Sequence, residues 1–431
     1  MRVHKKIQLL EKHDIKDKLL KWSQQFREVV WLDSNNYQQI YSSYDAVLAV
    51  DAFTVLQTDS EGAFDKLKEY QSHSKDWLFG YLTYDLKYDV ENLSSTNFDG
   101  LDFPELFFFQ PKKVFLLKDD LLEIQYLNFV DDELDVDFNE IISITDLSYT
   151  EEQKEKTKLR HRITKNKYFE KFNIIHDNIS KGNIYEMNFC QEFYAENSTL
   201  NPLLVYKKLN KISTPPFATF LKLNDKYLLS ASPERYIRKE KNKIISQPIK
   251  GTAKRSSESK IDQKLKSDLE TNEKERSENI MIVDLVRNDL SKTAVKGSVK
   301  VPELCKVYTF DQVHQMISTV TSEVSHAKNP VEVLRTTFPM GSMTGAPKVS
   351  AMKLIESLEE SKRGLYSGSV GYFTPNNDFD FNVVIRSILY NSSKKYVSYT
   401  VGGAITAKSN VELEYQECLL KAKAMREALL T

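Results

Sequence analysis

Apolar residues along this chain fall into short runs with a period near two and longer stretches with a period near 3.6. Continuous or alternating runs at 44–50, 77–84 and 114–117, each bounded by turn-forming residues, predict strands. A helical pattern over 167–180 stops at Lys181-Gly182-Asn183, and strand-like segments follow at 217–221, 227–231 and 236–238. Helical periodicity then covers 262–290, 331–336 and 348–358; strands are predicted over 367–373, 380–390 and 396–402, and a helix over 412–430 closes the sequence. Strands and helices arrive in blocks instead of alternating one by one, which predicts an α+β layered architecture over a doubly wound one.

Polarity divides this pattern. Residues 1–150 hold all three tryptophans, Trp22, Trp31 and Trp77, but only three of the 13 glycines, and this N-terminal half reads as scaffold. Residues 148–166 are almost wholly polar, so a boundary or crossing segment is expected there. A second half is expected over 160–431, packed with the first as one unit. The 60 Lys and Arg balance 61 Asp and Glu, which leaves no sustained positive field and argues against nucleic acid as a partner. The Lys-rich stretch 239–274 is interleaved with Ser, Asp and Glu and is expected to be a solvated face or mobile loop. Cys190, Cys305 and Cys418 are odd in number and far apart, so neither a disulfide frame nor a zinc site is suggested. That usage fits a reducing cytoplasm. With no run of about 18 apolar residues and a charged start, a soluble, non-exported protein is expected.

Seven of the 13 glycines lie between Gly341 and Gly403, in G-S-M-T-G-A-P-K, R-G-L-Y-S-G-S-V-G and V-G-G-A-I. One glycine alone is a turn between strands. Three clusters suggest close backbone approach, with free amides near Ser342, Thr344 and Gly403 able to bind a carboxylate. None of them matches a nucleotide-binding glycine motif. Glu414, Glu417 and Lys421 share one face of the last helix, as an ordinary surface pair would. Glu278, however, sits beside the apolar run 280–283, so its helix is buried and its carboxylate needs a partner. Two carboxylates from separate helices, with waters and an anionic substrate completing the shell, is how proteins commonly hold Mg²⁺.

Several motifs occur in order: S-A-S-P-E-R at 230–235, P-I-K-G-T at 248–252, E-N-I-M-I-V-D-L-V-R-N-D-L at 278–290 and F-P-M-G-S-M-T-G-A-P-K at 338–348. R-G-L-Y-S-G at 363–368, I-R at 385–386, G-G-A-I at 402–405 and E-Y-Q-E-C-L-L-K-A at 414–422 follow. With them the chain resembles the chorismate-utilising enzymes from about 167 to 430. W-L-D-S-N at 31–35 and G-Y-L-T-Y-D-L-K at 80–87 extend the resemblance more loosely into the first half. The resemblance implies two large β-sheets packed into a layered core with helices outside.

Carried across motif by motif, it implies that Glu278 and Glu417 hold Mg²⁺ against the ring carboxylate of chorismate, with Glu414 a further candidate. Arg386, Tyr366, Lys421 and Thr344 would bind the substrate with the backbone of Gly402 and Gly403, and Gly251 and Thr252 flank the same site. Glu234 would be the general acid for the departing 4-hydroxyl, with its pKa raised by burial. His314 matches a histidine near the reacting ring, although a lone histidine is more often a satisfied core residue. Anthranilate synthases of the family read P-I-A-G-T where this chain reads P-I-K-G-T, the form typical of its aminodeoxychorismate synthases. Lys250 is therefore expected to add at ring carbon 2 while the 4-hydroxyl leaves; ammonia then adds at carbon 4 and expels the lysine. A neutral amine is required, and desolvation or the neighbouring Lys254 and Arg255 are expected to depress its pKa.

Isochorismate and salicylate synthases carry a lysine, as base for water, at the position of Glu186, where aminodeoxychorismate synthases more often have glutamine; Glu186 is a departure. No glutaminase signature is present, so ammonia would come from a glutamine amidotransferase subunit, and the product would lead to para-aminobenzoate and folate. Residues 32–35, Ser34 among them, fall in the region that binds tryptophan in relatives. The rival enzyme is anthranilate synthase component I. A rival of another class is a non-catalytic amino-acid-binding or scaffold subunit.

Overall fold

The computed structural model describes residues 1–9, 14–37, 40–147, 157–310 and 313–430. Its frame is two antiparallel sheets that share two long strands, Ala46–Thr58 and Leu106–Lys118. From that pair one sheet continues through Glu28–Asp33, Phe217–Leu223, Lys226–Ser232, Ser387–Asn391 and Tyr396–Thr406 to Glu186–Ala195. The other continues through Leu78–Leu82, Ser369–Phe373, Phe379–Asn382, Arg235–Glu240 and Lys243–Gln247 to Val313–Glu323. The pairing of the two long strands shifts register between Ala52 and Thr54, next to Asp51 at φ 61°. Such a bulge bends both strands and lets each serve two sheets.

Successive side chains on a strand point to opposite faces, and here both faces are covered. Trp31, Leu48, Val50, Phe115 and Leu117 enter a core shared with the helices Ile15–Ser23, Leu134–Ser143, Lys165–Ser180, Pro202–Ser213 and Val411–Leu430. Their neighbours Val30, Val47, Ala49, Val114 and Leu116 face the second sheet, against Phe79, Phe108, Ile237, Phe373 and Phe381. Burial on two sides explains why these strands read as continuous apolar runs. The α+β layering and the pair of large sheets expected from the sequence are what the structure has. Among the described residues, no helix is long and apolar enough to cross a membrane.

Three expectations change. The helical stretch 262–290 is two helices, Ser259–Thr271 and Glu273–Ser291, because the side chain of Asn272 accepts the Glu275 N–H and caps the second. The Lys-rich segment 239–274 is not a loop; it contains the strands Lys243–Gln247 and Ile249–Lys254 and the first of those helices, whose polar faces are solvated. The predicted strand 380–390 is broken at Arg386, which has φ 50°. There the chain leaves the second sheet and enters the first. The polar boundary at 148–166 lies partly outside the described residues; from 160 it forms a two-residue strand, and a helix starts at Lys165 under a cap from Thr164.

Candidate active site

Two crossings between the sheets lie side by side. Glu234 sits where the chain passes from Lys226–Ser232 to Arg235–Glu240, and Arg386 where it passes from Phe379–Asn382 to Ser387–Asn391. Backbone bonds join them, Val383 N–H to Glu234 O at 3.0 Å and Ala231 N–H to Arg386 O at 3.1 Å. A crossing frees its side chain from the alternation of a strand, so both groups can face the opening between the sheets.

Lys250 reaches the same opening from a third direction. Its strand loses register with Val313–Glu323 between Ile249 and Thr252, and Gly251, at φ 86°, completes the bulge. A Cβ on Gly251 would lie 3.1 Å from Glu275 Oε2 and from Leu269 Cδ1, so glycine lets this strand press against the two helices. The Lys250 Nζ stands 3.1 Å from Glu186 Oε1, and its side chain is 13% exposed. Burial favours the neutral amine, but the carboxylates of Glu186, Glu278 and Glu234 outweigh it and hold the pKa above the usual lysine value. The expected depression by Lys254 and Arg255 is therefore wrong. Both are exposed, and Arg255 pairs with Asp262 at 2.9 Å.

The carboxylates divide into two groups. Burial pushes Glu234 up to about 7, against the opposing effects of a Ser342 hydrogen bond and the Lys250 and Arg386 charges. It also pushes Glu278 up to about 7, with Lys250 and Lys274 opposing and Glu186 and Glu275 adding to the rise. Glu278 Oε1 is buried with no hydrogen-bond partner and lies 3.7 Å from Lys274 Nζ. Glu275 is raised by burial and by Glu417. On the last helix Lys421, 2.8 Å away, pulls the Glu417 pKa down, while Glu414 is buried and paired with Lys274 at 3.1 Å. Glu275, Lys274 and the Lys250–Glu186 pair were not foreseen; the three-residue spacing of Glu275 and Glu278 was the available signal.

Arg386 makes no side-chain hydrogen bond or ion pair among the described residues, and burial lowers its pKa against the pull of Glu234. An unpartnered guanidinium in a buried crevice is a site for an anion. Lys421 donates to Gly402 O at 2.9 Å. Gly402 is packed so closely that a Cβ would meet Cys190 Sγ at 2.5 Å, and one on Gly403 would lie 3.3 Å from Glu414 Oε2. Tyr366 is buried with its hydroxyl 3.7 Å from Cys190 Sγ. The Thr344 hydroxyl is turned to the carbonyls of Met340 and Gly341.

Other expected residues stand apart from this group. Thr252 is exposed. His314 is buried with Nδ1 3.1 Å from Thr309 Oγ1 and Nε2 3.1 Å from Asp262 Oδ1, so both ring nitrogens are occupied away from Lys250 and Glu234. The buried Ser34 hydroxyl has no hydrogen-bond partner among the described residues and lines a cavity between the sheets with Leu32, Tyr44, Thr219 and Arg235.

Fold and side chains together define a class: an α+β protein of two large sheets that gathers a lysine, an unpartnered arginine and several carboxylates within electrostatic reach of one another. The chain belongs to the chorismate binding enzyme family, whose model it matches over residues 27–427. It is 39% identical to aminodeoxychorismate synthase component 1 of Salmonella typhimurium over 62% of this chain and 58% of that one. It is 30% identical to the Bacillus subtilis protein of that name over 88% and 80%. To anthranilate synthase component 1 of Saccharolobus solfataricus it is 32% identical over 84% and 83%. The chain spans 28% of the length of the rice aminodeoxychorismate synthase it matches at 43% identity. Among solved structures, anthranilate synthase component I from Streptococcus pneumoniae superimposes with a TM-score of 0.76 at 24% identity, covering 90% of this chain and 93% of that one.

Proposed function

We propose that this protein is an aminodeoxychorismate synthase component 1, replacing the 4-hydroxyl of chorismate with an amino group from ammonia. The observation that carries the reading is Lys250, a part-buried lysine beside an unpartnered Arg386 and a Glu234 whose pKa burial pushes up to about 7. Arg386 and Lys421 bind the carboxylates of the substrate, with Tyr366 and the Gly402–Gly403 backbone closing the pocket. Glu234 is protonated up to about neutral pH, so it can deliver a proton to the 4-hydroxyl as that group leaves. The Lys250 amine attacks carbon 2, the ring double bond shifts, and water departs; ammonia then bonds to carbon 4 and the electron pair of the carbon–lysine bond returns to Nζ. Thr344 and Gly251 shape the walls of the pocket, while the exposed Thr252 lies outside it. His314 takes no reacting role in this reading and fixes Asp262 at the start of its helix.

Mg²⁺ fits the residues present. Glu278 Oε1 is a buried, partnerless carboxylate oxygen that a cation would satisfy. Among the described residues no three His, Cys, Asp or Glu side chains form a ready-made cage. Glu278 and Glu417, with waters and a substrate carboxylate, are thus the donor set. When bound there, Mg²⁺ supplies the positive charge that grips the ring carboxylate and draws electrons from the diene.

Component 1 in the names of the bacterial relatives supports a second subunit, which in this reading is a glutamine amidotransferase that delivers ammonia, and three free cysteines agree with a cytoplasmic setting. The partnerless Ser34 hydroxyl supports tryptophan as a ligand in the cavity between the sheets. Similarity to the Saccharolobus protein favours a second reading, anthranilate synthase, in which pyruvate is eliminated. Lys250 argues against it. The test is purified protein with chorismate, Mg²⁺ and ammonium, products identified by mass, beside Lys250→Ala. Aminodeoxychorismate from the native protein and its loss in the variant are expected. Anthranilate from the native protein, unchanged by the substitution, would overturn the assignment.

A further inference from the structure

Lys250 must give up a proton before its nitrogen can attack carbon, yet the pocket holds that proton in place. The groups facing Nζ come from every wall. Glu186 belongs to the strand Glu186–Ala195, Glu234 to one crossing, Glu275 and Glu278 to the helix Glu273–Ser291, and Glu417 to the last helix, while Arg386, Lys274 and Lys421 face those carboxylates. Only Glu186 Oε1 lies within hydrogen-bond distance of Nζ among the described residues. Its other oxygen, Oε2, is buried with no partner at all, and the residue is 1% exposed.

That geometry makes Glu186 ready to take a proton. Oε1 already accepts from Nζ, so the proton has only to cross an existing hydrogen bond, and Oε2 is an acceptor that no group among the described residues fills. The backbone is fixed as well. Glu186 pairs with Ala346, and a Cβ on Gly345 would come within 2.2 Å of Glu186 O, so the side chain hangs from a clamped strand end. Once a cation takes the charge of Glu278 and Glu234 carries its proton, Glu186 is the carboxylate left to balance the ammonium.

We propose that Glu186 is the base that discharges Lys250, a role that rests on the lysine-nucleophile reading above. In the forward step an O–H bond forms on Glu186 as an N–H bond of Nζ breaks, and the freed lone pair makes the bond to carbon 2. When ammonia has bonded to carbon 4, the electron pair of the carbon–lysine bond returns to Nζ and Glu186 hands its proton back. No oxidant or further reactant is involved, and the pair begins and ends as carboxylate and ammonium.

The test isolates the first half of the reaction. Native protein, Glu186→Gln and Glu186→Asp, each with Mg²⁺ and chorismate but no ammonium, are quenched at intervals and weighed for an adduct on Lys250 of chorismate less one water. At pH 7 the glutamine variant is expected to form it about 100-fold more slowly, with chorismate affinity retained. The ratio of native to variant rate should shrink about tenfold per pH unit on going alkaline, as solvent takes over the discharge. The aspartate variant, which keeps a base, should show an intermediate rate and a ratio that does not change with pH. A support that merely holds Lys250 in place would give a pH-independent ratio for glutamine too, and that result, or equal rates at pH 7, overturns the role. If the native protein makes no aminodeoxychorismate when ammonium is added, the parent reading falls and this one with it. If it does and the glutamine variant is unimpaired, only the role of Glu186 falls.

Discussion

Replacing Glu278 by glutamine should stabilise the metal-free protein and abolish its response to magnesium. In the folded chain Glu278 ionises near 7 instead of the ordinary 4.5, because burial in the helix Glu273–Ser291 outweighs the help of Lys250 and Lys274. Its contribution to stability is therefore full below about 4.5, declines as pH rises toward 7, and stays low above that. Above pH 7 the folded carboxylate costs about 3 kcal/mol relative to the unfolded chain. An amide of the same shape removes that cost but leaves a buried polar group partly unsatisfied, about 1 kcal/mol, so a net gain of about 2 kcal/mol is expected at pH 8. For a chain of this length that is a rise in Tm of about 2 °C. At pH 4.5 the gain should vanish.

Magnesium should reverse the order. A ligand that binds only the folded state at 100 times its Kd adds about 2.7 kcal/mol, and the variant has lost one of the two carboxylates that would receive it. Melting curves of native and variant protein, recorded at pH 8 with EDTA and then with Mg²⁺, should cross. A variant less stable than the native protein in EDTA, or one with the same magnesium shift, would refute both the burial argument and the metal assignment.

Three further outcomes follow from the same geometry. Glu234→Gln should lower kcat by at least 100-fold, and the tenfold fall in native activity per pH unit above about 7, where Glu234 loses its proton, should be absent from the variant's pH–rate profile. Arg386→Ala should raise the KM for chorismate about 100-fold in steady-state assays, with Arg386→Lys restoring part of it, since the site lies in a crevice where a paired charge is strongly felt. Gly402→Ala should lower Tm, at a cost of about 1–3 kcal/mol, because the new methyl meets Phe189 O at 2.6 Å as well as the Cys190 sulfur; a melting point equal to native would show the strands can part.

The strands were legible where side chains buried on both faces left continuous apolar runs, as at 44–50 and 114–117. The strands Lys243–Gln247 and Ile249–Lys254 were not, because they lie at the polar rim and carry lysines that tertiary pairing, not local pattern, makes regular. Asn272 hid a helix break inside a periodic stretch, since periodicity survives a cap that turns the chain without changing which face is apolar. At the candidate site, Glu234, Glu278 and Arg386, which the fold brings near Lys250, were singled out through motifs. The state of Lys250 was misjudged for a plain reason. Sequence order put Lys254 and Arg255 beside it, whereas the fold brings Glu186 and Glu278, from 64 residues before and 28 residues after it, and sends Arg255 to Asp262.

The charges of the crevice explain why cation, proton and substrate must arrive together. Four of its carboxylates have lysine partners: Glu186 with Lys250, Glu417 with Lys421, and Glu414 and Glu278, which share Lys274 at 3.1 and 3.7 Å. Glu234, Glu275 and Glu278 have no lysine to themselves, and these three all have raised pKa values, while Arg386, beside Glu234, makes no ion pair among the described residues. A substrate with two carboxylates cannot settle against three ionised ones. Glu234 resolves its share by keeping a proton up to about pH 7, the proton that the leaving hydroxyl needs in the proposed reaction. Glu275 and Glu278 can be neutralised by protons or by a divalent cation, and only the cation leaves a positive charge for the ring carboxylate to meet. Raising the pH without magnesium should therefore weaken chorismate binding more steeply than raising it with magnesium present, because in one case all three carboxylates ionise unopposed and in the other only Glu234 does.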